Sequence, residues 1–406
     1  MFRDVGARPA AQLAPTVPCS IYAIFELCFA LLTPTIVAAD IIGKSYKLIA
    51  TPTIGQFTYC SLCLYPSERV NAFGVVFFLL AWHVVIYCPV AHITWNPHGY
   101  LFTNDIEDFA GGIVVNILAS ATILASNVFL DFVNAPNYGV KIPNNSTEAL
   151  KSALVLWFLW FGLLAGKAHN AGPVAAQAVV NTIASVQVAV LFGYLQDRLC
   201  GGQPLAEAST SMLNNVLLGL VAVTPVCGYT TVGGAMCVSV VAVLCTKLIA
   251  RYLLKDGLAV NDPLDITTVH GVGGTIGFLM TAIFSYSFIN PAALDGLTLG
   301  EQHPIRMHTA AALALWGCIF LATFVLHFLC DLLVPISAHV TTDRVFLPYI
   351  TQDAVHHSTF EESVNKGGAD GLGEHLDEEG KYNLAREISL YRKLSRYFSQ
   401  GPTTGQ

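Results

Sequence analysis

Along the chain, long apolar stretches near residues 21–39, 72–94, 110–133, 150–166, 173–196, 211–226, 230–250, 266–288 and 308–336 alternate with shorter polar connections. Each stretch meets or approaches the roughly 20 apolar residues that a helix needs to cross the hydrocarbon core of a bilayer. Only a helix or a closed barrel satisfies its own backbone in lipid. The pattern therefore predicts an all-α, polytopic membrane helix bundle of about nine spans over 21–336. A further apolar run, IATPTIGQFTYCSLCLYP at 49–66, is short and carries two prolines, so it is read as part of a loop over 40–67. Residues 1–20 lack the apolar core of a secretory signal and form an extramembrane segment, leaving the first span to direct insertion. From 337 to 406 the chain is polar. There Leu384, Ile388, Tyr391, Leu394 and Phe398 recur at helical spacing among Arg386, Arg392, Lys393 and Arg396. That pattern fits an amphipathic helix on the membrane or the cytoplasmic loops, or else a loosely ordered tail.

Composition agrees: 54% of the 406 residues are hydrophobic and 12% charged, more apolar side chains than a soluble core would need. Charge adds direction. If the spans alternate, Lys44, Lys47, Arg69, Lys141, Lys151, Arg198, Lys247, Arg251 and Lys255 fall on one side, and Lys167 and Arg306 on the other. Excess Lys and Arg marks the cytoplasmic side, which places the 337–406 tail in the cytoplasm. The tenth span would reverse that asymmetry in every later loop. The sequons at Asn144 and Asn145 then face the cytoplasm, out of reach of glycosylation. Eleven cysteines show no framework spacing, and Cys60 and Cys63 form a lone C-x-x-C. No nucleophile with a paired base and no metal cluster stands within the spans, so neither an enzyme nor a cofactor is expected. The expected surroundings are the lipid bilayer, with no nucleic-acid partner.

The polar residues inside the spans carry the functional signal. DFAGGIVVN places Asp108 eight residues before Asn116, and DPLDITTVH places Asp262 eight residues before His270, each time at the head of an apolar run. Such recurrence suggests internal repeats, whose shared sites lie near the bilayer midplane. An amide or imidazole at that depth is costly unless it faces the bundle interior. Either each bonds to a neighbouring helix and does nothing more, or the two share one site.

Six motifs in series, CFALLTPTIVAAD, WHVVIYCPVAHITW, DFAGGIVVN, WFGLLAGKAHNAGPVAAQAVVNT, GLVAVTPVCGYTTVGGA and DPLDITTVHGVGGTIG, resemble the ammonium transporters, a family that includes methylammonium permeases and, more distantly, Rh proteins. The resemblance runs from about residue 22 to 336. It implies protomers of eleven helices, here about nine, assembled as homotrimers or heterotrimers of related subunits in the plasma membrane. Each subunit has one narrow apolar pore for ammonium or ammonia. It further implies that Trp95, Phe25, Phe29 and Asp108 belong to an outer recruitment vestibule. Phe29, Leu163 and Trp160 form the gate, Asn116 and His270 line the pore, and Asp262 supports a helix head.

Four departures qualify the resemblance. Asn116 stands where the family has its first pore histidine. An amide offers a donor and an acceptor but no titratable nitrogen. Lys167 replaces the vestibule serine, and its ammonium group either rests in the cation's place or extends to the aqueous edge. Leu163 replaces the second gate phenylalanine. The family's first two helices have no counterpart before residue 22, and about 27 residues are inserted between Ala39 and Ser67. The expected function is ammonium transport, with the substrate conducted as ammonia. The alternative is a transport-defective sensor or regulatory subunit, or a truncated remnant.

Overall fold

The computed structural model describes residues 8–10, 13–43, 70–134, 146–199, 205–249, 252 and 265–336. All belong to one compact unit, Met1–His339, and the second unit, Val340–Gln406, lies outside them. Outside them too are the 49–66 run with Cys60 and Cys63, the sequons Asn144 and Asn145, Asp262, and the amphipathic pattern at 384–398.

A short antiparallel hairpin, β1 (Pro9–Ala10) and β2 (Ala14–Pro18), precedes the bundle. The helices are α1 (Cys19–Gly43), α2 (Ala72–Trp82), α3 (Cys88–Trp95), α4 (Tyr100–Thr103), α5 (Leu118–Asn134), α6 (Ser146–Gly166), α7 (Pro173–Leu199), α8 (Leu205–Val223), α9 (Val232–Ile249), α10 (Gly273–Phe284) and α11 (His303–Leu333). A π-helical segment, His83–Tyr87, joins α2 to α3, and two more, Gly112–Ile117 and Thr267–Val272, lead into α5 and α10. Among the described residues, seven helical segments are long and apolar enough to cross a membrane, and 151–166 and 211–223 form shorter apolar helices. Each of the nine span-length stretches read from the sequence thus contains a helix among the described residues.

Local chemistry sets the helix ends. Asn71 caps α2 by accepting from the Phe73 N–H at 3.1 Å, while its amide nitrogen donates to Pro335 O, tying the start of α2 to the end of α11. Pro173 and Pro304 stand in the first turns of α7 and α11, where a missing N–H costs nothing. Between helices, small polar residues permit close approach and bond across: Ser185 Oγ on α7 lies 2.6 Å from Ser239 Oγ on α9 and donates to Gly219 O on α8 at 2.7 Å.

Two apolar clusters fill the bundle. One gathers Phe78, Trp82, Ile113, Ile117 and Phe129, and the other Trp160, Leu164, Leu220 and Val243. The run 112–130 is the most enclosed span, 89% buried along its apolar window, against 17% for α1. On α1, Ile21, Ile24, Leu27 and Leu31 face outward at helical spacing, the pattern of a lipid-facing wall. Asn116 is fully buried within this most enclosed run.

Candidate functional site

The site begins with Asp108. Its Oδ1 accepts from the Gly111 and Gly112 N–H groups at 2.9 and 2.6 Å, and its Oδ2 from Ile113 N–H at 2.7 Å. These are orphan donors at the head of the π-helical run, and a carboxylate there satisfies them and complements the helix dipole. Burial pushes this carboxyl upward in pKa, and the three N–H bonds push back. The turn works because Gly111 takes φ 113°, a left-handed conformation that a side chain would strain. Asp108 O in turn accepts from Trp95 Nε1 at 2.9 Å, which orients the indole at the end of α3.

Downstream, Asn116 and His270 both lie in π-helical turns, and they face each other. Asn116 Oδ1 is 2.9 Å from His270 Nδ1. A carbonyl oxygen only accepts, so Nδ1–H donates, and Nε2 of the neutral ring is left as an acceptor. Asn116 Nδ2 is buried and has no protein partner. Gly274 permits the approach: a Cβ there would lie 2.4 Å from Asn116 Cβ. Both stand in the second half of a six-residue π-helical run, Asn116 in Gly112–Ile117 and His270 in Thr267–Val272.

At the Trp95 end an aromatic chain continues outward. Phe29 meets Trp95 edge-on at 5.4 Å between centroids, and Phe25 meets Phe29 at 5.4 Å. Into this chain comes Lys167, just past the end of α6. Its Nζ stands 3.3 Å from the Trp95 ring centroid and 5.0 Å from that of Phe29. The Lys167 side chain is only 7% exposed. Of the two placements open in the sequence, this is the one over the aromatic rings. Burial lowers the lysine's pKa, and the Glu26 carboxylate opposes the shift.

Glu26 is the residue that sequence reading missed. Its Oε1 accepts from Lys167 Nζ at 2.8 Å and lies 3.6 Å from His169 Nε2. His169 occupies the left-handed region at φ 54°, packs edge-on against Tyr22 and Phe25, and offers its carbonyl to the Thr16 hydroxyl on β2. The signal was a carboxylate one residue after Phe25, well inside an apolar span, where ionisable groups are rare and costly.

The other expected residues are placed as follows. Trp160 is buried in the second cluster and donates from Nε1 to Thr224 Oγ1 at 3.1 Å, and Leu163 packs against the same cluster. They therefore adjoin each other, whereas Phe29 pairs with Phe25 and Trp95. Beside Asp108, Glu107 is a second unanticipated group. Its Oε1 accepts from Leu294 N–H at 2.6 Å, its backbone N–H donates to His308 Nε2 at 3.1 Å, and burial raises its pKa to about 7.

Three comparisons with known proteins show the family to which the chain is similar. The model of the Ammonium Transporter Family matches residues 58–348, well over half of the chain. A putative ammonium transporter of Methanothermobacter thermautotrophicus is 29% identical over 319 residues, covering 78% of this chain and 70% of its own length. An ammonium transporter of Bacillus subtilis is 27% identical over 346 residues, covering 83% and 75%. Among solved structures, Candida albicans Mep2 superposes with a TM-score of 0.66 at 25% identity, over 80% of this chain and 67% of that one.

Proposed function

Since the chain belongs to the ammonium transporter family, we propose that this integral membrane protein moves ammonium across the bilayer, gathering it at the Trp95 vestibule and passing it inward as ammonia. The observation that carries the reading is the Asn116–His270 pair, in contact inside an apolar helical bundle. An ammonium ion held against an aromatic face gains about 0.5–2 kcal/mol, which offsets part of its lost hydration. Further in, desolvation penalises the charged form, so the ion releases its proton to water on the vestibule side and continues neutral. Potassium cannot do this and stays charged. Neutral ammonia can then donate to His270 Nε2 and accept from Asn116 Nδ2. Asn116 has no titratable nitrogen, so this pair hands ammonia along without relaying a proton between two imidazoles. Phe29, Phe25 and Asp108 shape the recruitment end, and Phe29, Leu163 and Trp160 gate the passage. The protein acts as a homotrimer or a heterotrimer with related subunits, in the plasma membrane, with its tail in the cytoplasm and no enzymatic step.

The test is uptake of labelled methylammonium in cells that lack ammonium carriers of their own. The Lys167→Ser chain should accumulate label, and Asn116→Leu in the same background should lower the rate about tenfold, the cost of one lost hydrogen bond to the passing molecule. If the Lys167→Ser chain reaches the membrane and uptake equals that of cells without it, the transport reading fails. The occupancy of the vestibule by Lys167 favours one second reading, a non-conducting subunit that senses ammonium, and that same silent result would leave it standing.

A further inference from the structure

We propose that Glu26 is a positioning residue that pins the Lys167 ammonium group onto the Trp95 ring, so that the vestibule carries its own tethered cation. Three observations converge on it. Lys167 Nζ is held at once by Glu26 Oε1 at 2.8 Å and by the faces of Trp95 and Phe29. Both charged side chains are largely shielded, at 7% and 23% exposure, so solvent and salt screen the pair weakly. Finally, the carboxylate has a neighbour on its other flank: His169 Nε2 stands 3.6 Å from the same Oε1, beyond direct hydrogen-bond reach, on a turn fastened to β2 through Thr16.

The chemistry explains why two unusual residues occur together. A lysine over the aromatic rings with no counter-ion would be a buried, uncompensated charge, and a glutamate alone in the first span would be another. Paired, each removes the other's cost. The result is an intramolecular occupant of the aromatic site, with the same ammonium head group as the cargo. Lys167 reaches the site only while Glu26 holds it there, so Glu26 sets how often the site is free.

Site-specific amine acetylation of the purified full-length chain in detergent tests this without any transport. Lys247, paired with Asp197 between α7 and α9, serves as the internal reference, and peptide mass spectrometry reads both lysines. In the wild type, Lys167 should label more slowly than Lys247. In Glu26→Gln the Lys167 rate should rise about tenfold, because an amine without its carboxylate is both freed and more easily deprotonated. Lys247 should not change, whereas general loosening would raise both. Glu26→Asp, which keeps the charge and shortens the reach, should lie between. Equal Lys167 labelling in wild type and Glu26→Gln overturns the proposal. If Glu26→Gln does not fold, wild-type Lys167 labelling as fast as Lys247 overturns it alone. Silent uptake in every variant would sink the transport reading and leave this pin intact.

Discussion

Replacing Lys167 by serine removes a positive charge from the place where a cation must arrive, and the geometry fixes the size of the effect. A second ammonium nitrogen sharing the Trp95 and Phe29 faces would lie about 4 Å from Lys167 Nζ, and at an effective dielectric of about 20 that repulsion costs about 4 kcal/mol. For a newcomer placed opposite Glu26, which is 2.8 Å from Nζ, the carboxylate lies about 7 Å away and returns about 2 kcal/mol of attraction. The wild-type vestibule thus opposes a cation by about 2 kcal/mol, or roughly 30-fold in occupancy. Serine abolishes the repulsion and leaves the carboxylate, a swing of about 4 kcal/mol, so apparent affinity should improve by up to about a thousandfold. Adding Glu26→Gln should give back about 2 kcal/mol of that gain. The assay is methylammonium uptake over a range of concentrations, reading KM and maximal rate separately. The change should fall on KM, because the charge acts on recruitment and not on the Asn116–His270 passage. A Lys167→Ser chain with a KM within about threefold of wild type would refute the electrostatic reasoning.

Other consequences follow from single contacts. In the Lys167→Ser background, Asn116→His should restore a second imidazole opposite His270 and introduce proton-linked current, measured as charge moved per labelled molecule. Equal ratios in the two chains would contradict the role given to the amide. Asp108→Ala strands three buried N–H groups at about 1–3 kcal/mol each, so the thermal midpoint in detergent should fall by several degrees, and less for Asp108→Asn. Gly274→Ala sets a methyl 2.4 Å from Asn116 Cβ and should cut uptake sharply in a chain that still folds, by pushing the amide off His270. Glu107, with its carboxyl raised to about 7 by burial, binds its proton more tightly folded than unfolded. Stability should therefore be highest below about pH 4.5 and decline by up to about 3 kcal/mol as pH rises to 7. Glu107→Gln should flatten that slope in thermal unfolding across the same window.

What could be read from sequence alone divides by range. Span existence is a matter of length and apolarity within about 20 residues, so the nine long apolar stretches stood in the pattern while the four-residue α4 did not, and the polarity of Asn116 and His270 inside those stretches was legible too. The eight-residue recurrence also pointed to a shared depth. The π turns were not legible, because an i→i+5 bond leaves no composition signature. Nor was the β1–β2 hairpin, a few residues held by local bonds.

Glu26 shows the deeper limit. Its partner Lys167 is 141 residues away, and nothing in either local window says that the two will meet. Each alone reads as a defect: a carboxylate in a lipid-length apolar run, and a lysine where a cation binds. Their costs in a low-dielectric interior have opposite sign, so either residue implies the need for the other, which is a physical clue available before any coordinates. Applied to Lys167, that reasoning asks for an acid within reach of the aromatic vestibule, and Glu26, one residue after Phe25, answers it. The same logic separates a damaged site from a modified one. A lysine placed in the vestibule by chance has no cause to bring a counter-ion, whereas one held at 2.8 Å by a shielded carboxylate fits a part of the machinery. On the proposed reading cargo competes with a tethered head group of its own kind, and the strength of one ion pair, rather than the bare aromatic site, would set the working threshold.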